Sequence, residues 1–169
     1  TFDRGSETVL LNQAIGASVE NFDPPSVDGT YTNNSVKPKM GQGRWGKEGS
    51  WFPGSTAQRI DCASHPAVNP DGSLTVACWA RVMGGSGGYR APVTSRDDGT
   101  ERGGYILYAA SNNRWTVWTG HPGGWSGVWG PDVEIGEWTC VIGTFNATSG
   151  PNAAGTNGGR LTLYVNGVK

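Results

Sequence analysis

Charged residues are scarce in this chain: Asp, Glu, Lys and Arg make up only 16% of its 169 residues, and the formal net charge is −1. A nucleic-acid binder draws affinity from clustered Lys and Arg opposite phosphates, and no such stripe is present. Nucleic acid is not an expected partner. Long apolar runs are missing too. No stretch approaches the ~18 residues of a membrane-crossing helix, and no charged leader precedes a shorter apolar run, so membrane insertion is not expected. An apolar stripe of period 3.6 is equally absent, which excludes helix as the main building element. Cysteine is limited to Cys62, Cys78 and Cys140, without Cys-x-x-Cys or Cys/His ligand spacing, and a zinc site is not expected. The two histidines, His65 and His121, each precede Pro in turn-like sequence, and no nucleophile-elbow motif accompanies them. Ser/His/Asp hydrolysis is thereby disfavoured. The first residue is Thr1 and not Met, the beginning expected of a piece of a longer polypeptide.

What the chain has in quantity is Gly, 28 residues of it, together with ten Pro. That composition suits many short strands joined by tight turns. At this length a core is expected that removes ~70% of the unfolded-chain surface from water. The clearest strands come last. In GEWTCVIGTF (136–145), Trp138, Cys140, Ile142 and Thr144 alternate with Thr139, Val141, Gly143 and Phe145, the period of a ribbon with two faces. In GRLTLYVNGVK (159–169), Leu161, Leu163 and Val165 alternate with Thr162 and Tyr164, and Asn166-Gly167 then supplies a pair suited to φ > 0 in a tight hairpin turn. A further strand is expected directly after it. Other strands are expected near 8–11, 57–62, 74–82, 91–95, 104–109, 114–119 and 128–133. The strand 74–82 places Leu74, Val76, Cys78, Ala80 and Val82 on one face and reads as buried on both. In 41–54, Trp45, Trp51 and Phe52 read as inward anchors. Residues 1–20 are expected to be a lead-in segment or linker, and 21–169 the domain itself.

Read with SLTVACWARV (73–82) and SRDDGTERGGYILY (95–108), the order of these segments resembles the laminin-G-like jelly rolls, kin to pentraxins and legume-lectin-like sandwiches. Those domains run through a Thr-Val-x-x-Trp strand, a Gly-Gly-Tyr strand, a Gly-x-Trp strand and a Leu-Tyr-Val-Asn-Gly strand. The resemblance spans about 27–169. It implies an all-β fold, a two-sheet antiparallel jelly-roll β-sandwich of concanavalin A type that lacks its last family strands. It also implies that Trp79 and Trp138 are core residues, and it speaks for fold far more firmly than for activity. Pentraxins carry a disulfide between strands equivalent to those of Cys78 and Cys140. Here, however, aligning Leu74-Thr75-Val76 puts Cys78 one residue late and so on the opposite face. Three free, buried cysteines are the expectation.

Two chemical possibilities follow from the same resemblance. Related glucanases arrange carboxylates as Glu-x-Asp-x-x-Glu, because an acid and a nucleophile must flank one glycosidic bond. The nearest match, Asp132, Glu134 and Glu137, has the wrong order and ends in a turn, so catalysis is not expected. Calcium needs six to eight oxygen ligands, and 95–101 concentrates oxygens in one turn. A pentraxin loop at this place contributes calcium ligands, a role that would fall on Asp97 and Asp98. The competing reading pairs those acids with Arg96 and Arg102 in a solvated turn. No other cofactor is expected.

Eight Trp are present, and Trp115, Trp118, Trp125, Trp129 and Trp138 lie close together. Trp115 and Trp118 have opposite parity in one strand, so one of them faces away from the core. Trp125 sits among Gly123, Gly124 and Gly127, which reads as a loop presenting an exposed ring. Such a ring could stack on the apolar face of a sugar while Asn113, Arg114 and His121 bind its hydroxyls. The candidate ligand-binding set is therefore Trp125, Trp118, Trp115, Arg114, His121 and Asn113. The alternative is an indole that caps the sandwich edge or presses on a neighbouring protein subunit. Laminin-G-like domains also recur in bacteriophage tail and capsid proteins. The expectation is a non-catalytic recognition or adhesion module, extracellular or on a virion surface, that binds surface glycan. A purely structural decoration domain is the alternative, and a glycoside hydrolase the disfavoured one.

Overall fold

The computed structural model describes residues 2–3, 9–12, 29–31, 38–39, 43–46, 49–52, 54, 58–66, 68–70, 72–85, 87–99, 102–147 and 159–169. The expected domain start near residue 21 lies outside them. The chain divides into two compact units, Thr1–Asn69 and Pro70–Lys169.

In the first unit, β1 (Phe2–Asp3), β2 (Val9–Asn12), β3 (Gly29–Tyr31) and β6 (Ile60–Cys62) form an antiparallel sheet in the order β1-β2-β3-β6. Beside it in sequence, β4 (Pro38–Lys39) pairs with β5 (Gly49–Ser50), and Arg44–Gly46 make one 3-10 turn. The expected inward anchors do not point inward. Trp45 is 73% exposed at a φ of 58° with the Arg44 guanidinium 3.9 Å from its ring centroid, and Trp51 and Phe52 are also exposed. The reason is local: Trp51 and Phe52 follow a strand only two residues long, so no extended ladder alternates their side chains toward a core.

The second unit holds seven strands among its described residues: β7 (Leu74–Arg81), β8 (Arg90–Asp97), β9 (Gly103–Ala109), β10 (Arg114–His121), β11 (Gly124–Asp132), β12 (Trp138–Asn146) and β13 (Arg160–Val165). They make two antiparallel sheets, ordered β11-β10-β9-β8 and β13-β12-β7. Between these sheets lies the core of Leu107, Ala109, Trp115, Val117, Val133, Val141, Leu163 and Val165, with Val76, Cys78, Ala80, Val82, Val128 and Leu161 packed against it. Residues of period two along β7, β9, β10 and β13 supply most of it, as the alternation in the sequence requires. The sheets approach each other closely at Gly143 of β12. A Cβ built there would stand 2.5 Å from Val117 Cγ2 and 3.3 Å from Leu107 Cδ2, across the core.

Strand β7 corrects one expectation. Its Leu74, Val76, Cys78 and Ala80 are half-buried, whereas Thr75, Ala77, Trp79 and Arg81 are exposed, so only one face is covered. Trp79 is 41% exposed, on the outer side of its sheet. Trp138 pairs with Arg81 on the same outer side, half-buried, with that guanidinium 5.3 Å from its ring centroid. Neither indole is a core residue, because both fall on the parity opposite to Val141 and Cys78. The cysteines follow the same geometry. Cys140 is level with Trp79 and Cys78 with Val141, which sends the two thiols to opposite faces; Cys78 and Cys140 are half-buried and unbridged, and Cys62, expected buried, is exposed. Burial, and secondarily the neighbouring Cys140, pushes the Cys78 thiol up to about 12.

Asn166-Gly167 turns the chain as the sequence predicts, with φ values of 51° and 82°. Val165 and Val168 exchange both backbone hydrogen bonds across it, at 2.8 and 3.0 Å. The Asn166 amide also extends the β12–β13 ladder by one rung, since its N–H donates to Cys140 O and its Oδ1 accepts from Cys140 N.

Candidate functional site

The sheet β11-β10-β9-β8 has one face on the core and one away from it. Register decides which residues share the outer face. Trp129 pairs with Thr116, which pairs with Tyr108. Gly127 pairs with Trp118, which pairs with Ile106 and so with Thr94. Trp125 pairs with Gly120, and Gly104 with Arg96. Because Thr119 opposes Tyr105, Gly120 is level with Gly104, and the third row reads Trp125, Gly120, Gly104, Arg96. Three indoles thus share one face of the sheet.

The first two rows pack among themselves. Trp118 and Trp129 meet edge to face, with centroids 5.9 Å apart and planes at 81°, a favoured arrangement of ring quadrupoles. The Trp118 ring occupies the place a side chain at 127 would take, since a Cβ there would lie 2.7 Å from its Cδ2 and Cε2. Its indole N–H is buried and meets no acceptor among the described residues. Thr116 is fully buried beneath this face, its hydroxyl donating to Val128 O at 2.7 Å. Trp129 remains 41% exposed. On the β9 side, Tyr108 packs on Tyr89 at 4.9 Å between centroids.

The third row brings distant residues together. Strands β11 and β8 are opposite edges of a four-stranded sheet, ~14 Å apart at three interstrand spacings. Trp125 and Arg96 nonetheless approach to 6.0 Å between guanidinium carbon and ring centroid. Glycine at the two intervening positions permits it. A Cβ at Gly104, whose φ is 86°, would run into the Ser95 carbonyl, and one at Gly120 would stand 2.6 Å from Gly103 N. At the far end Asp98 gathers two guanidinium groups: its carboxylate pairs with Arg96 Nε and with Arg102 Nη1, the latter at 2.7 Å. Partial desolvation works against the charged carboxylate, but Arg96, Arg102 and Trp125 outweigh it and hold Asp98 below the usual carboxylate range. Arg96 also donates to Tyr108 Oη at 3.3 Å, joining the third row to the first.

The expected binding set is divided by this geometry. Trp125 and Trp118 are on the outer face together. Trp125 lies within β11 and not in a loop, because Pro122-Gly123 alone makes the turn, with Gly123 at a φ of 95°. Trp115 is the inward member of its pair at 1% exposure and cannot touch a ligand. Asn113 is a structural turn residue at a φ of 61°. Its Oδ1 accepts from Arg90 Nη2 and its Nδ2 donates to Val133 O, each at 3.2 Å, which leaves the amide engaged at both ends. Arg114 begins β10 at the end remote from Trp125, its Nε donating to Gly130 O at 2.8 Å. His121 is exposed at the β10–β11 turn beside Ser126 Oγ, 3.1 Å away, with both residues on the opposite parity from Trp125. Of the two acids named for calcium, Asp98 is paired with both arginines, whereas Asp97 accepts from Gly99 N at 2.8 Å. Among the described residues no group of three or more His, Cys, Asp or Glu side chains converges as a metal site.

Sequence reasoning missed Trp129, Tyr108, Tyr89 and the joining of Arg96 to Trp125. A signal for the first existed in the period-two spacing of Trp125, Gly127 and Trp129. Trp129 also borders a second feature. Between edge strands β11 and β13 lies a cleft of about 420 Å³, lined by apolar residues that include Val128, Leu161, Leu163 and Val165, with Arg160 and Lys169 among its polar margin.

Two antiparallel sheets packed around one core define a β-sandwich. The chain belongs to the laminin G family grouped as the concanavalin A-like lectin/glucanases superfamily, whose family model matches residues 52–169. No curated protein and no solved structure matches the chain.

Proposed function

We propose that this protein is a non-catalytic recognition module that binds surface carbohydrate through the outer face of β8–β11. The observation that carries the reading is the placing of Trp125, Trp118 and Trp129 on one sheet face, next to exposed hydrogen-bonding groups of Arg96, Asp98 and Arg102. Aromatic faces take up the apolar side of a pyranose, and charged groups at the margin orient its hydroxyls. Catalysis is not part of this reading. Asp98 is spent on two guanidinium groups, and Asp132 opposes Arg114 at the other end of β10. The proposed setting is the outside of a cell or of a virion, as part of a larger protein. A glycan array probed with the protein and with Trp125→Ala tests the reading. Glycan signals lost in the variant, with its thermal unfolding little changed, support it. Absence of any glycan signal, together with self-association or capture of a neighbouring subunit through the same face, would favour the architectural role instead.

A further inference from the structure

We infer that the outer face reads an internal stretch of a linear saccharide at least three units long, and not a single terminal sugar; this rests on the reading of that face as a saccharide platform. Trp125 and Trp129 stand on the same face of one strand, four residues and therefore ~13 Å apart. One pyranose ring cannot reach both. The floor between them is continuous, because Gly127 carries no side chain and the Trp118 ring fills the space above it. Among the described residues of this unit neither end of the row is walled. At the Trp125 end the chain leaves through the exposed Pro122-Gly123 turn, and at the Trp129 end the surface opens into the cleft between β11 and β13. A pocket for a chain terminus would close at one end and meet it with converging polar groups. Here Arg96, Asp98 and Arg102 flank the row on its β8–β9 side. Arg96 spends Nε and Nη1, and Arg102 spends Nη1, so both guanidinium groups keep N–H donors for ligand hydroxyls. A protein partner is the poorer fit, since a stable protein interface takes ~800 Å² from each side and this row is one short sheet face.

The test is a titration, followed by tryptophan fluorescence, with linear gluco-, manno- and xylo-oligosaccharides of one to six units. For at least one of these series the tetrasaccharide should bind tenfold or more tightly than the disaccharide, with a plateau beyond four units. Trp129→Ala should bring the ratio of tetrasaccharide to disaccharide affinity close to one, and Trp129→Phe, which keeps an aromatic edge against Trp118, should fall between. Thermal melts check that both variants are folded. Equal affinity for monosaccharide and tetrasaccharide would overturn the linear-chain inference and leave the platform standing. A ratio unchanged in Trp129→Ala would overturn it in the same way. Failure of every series to bind would overturn both.

Discussion

Gly143 tests the packing of the two sheets directly. An alanine there places a methyl 2.5 Å from Val117 Cγ2, 3.2 Å from Val117 Cβ and 3.3 Å from Leu107 Cδ2, and both neighbours are fully buried. Nothing around them is free to swing into solvent. Overpacking of this kind costs ~1–3 kcal/mol, and the reduced backbone entropy of alanine relative to glycine returns ~0.5–1 kcal/mol. A net loss of ~1–2 kcal/mol is expected, which for a chain of this size lowers the melting temperature by ~3–6 °C. The assay is urea denaturation of Gly143→Ala, Val117→Ala and the double variant. Because Val117→Ala removes the methyl groups that the new Cβ would strike, the double variant should be more stable than the sum of the single losses, by ~0.5–3 kcal/mol. Additive losses would mean that Gly143 and Val117 do not touch, and the sandwich described here would be wrong at its centre.

Two further outcomes follow from burial. Trp115→Ala, at 1% exposure within the core, should cost ~3–5 kcal/mol, whereas Trp79→Ala, at 41% exposure on an outer face, should cost well under half of that in the same denaturant melts. The reverse ranking would show the register of β7 or β10 to be off by one. Cys78, with its thiol pushed up to about 12, should resist iodoacetamide at pH 8.5 in the native protein while exposed Cys62 reacts. The stabilisation from its protonated form is fully present below its ordinary pKa of 9.0 and is lost as pH rises toward about 12, so an alkaline series of urea melts should show stability falling across that window in the wild type and less so in Cys78→Ala. Equal labelling of Cys78 and Cys62 would contradict its burial.

The strands were legible in the sequence wherever alternation is strict, as in 138–145 and 161–165, and Asn166-Gly167 announced its turn through residues that tolerate positive φ. Facing was harder to read. In β7 the weight of one large aromatic suggested burial on both sides, yet Trp79 shares its parity with Thr75 and Arg81, and those polar neighbours mark the outer face. At 121–127 the abundance of glycine masked a strand, although Pro122-Gly123 has the form of a two-residue turn that leaves Trp125 inside the following ribbon. The candidate site was legible in part, as Trp125 and Trp118. Its joining to Arg96 and Asp98 was not, because it depends on strand order and on two glycines lying level in the middle of the sheet. No local pattern in sequence carries that information.

The central claim, that saccharide meets the face built by Trp125, Trp118 and Trp129, is tested most directly by the indole N–H resonances in a nitrogen-15 correlation spectrum, with the eight tryptophans assigned by single substitution. On titration with a linear oligosaccharide that binds, the signals of Trp125, Trp118 and Trp129 should shift together and saturate at one affinity, while those of Trp115 in the core and Trp79 on the other sheet stay in place. Movement of Trp79 and Trp138 with Trp125 and Trp129 unchanged would put the ligand on the opposite sheet and contradict the account.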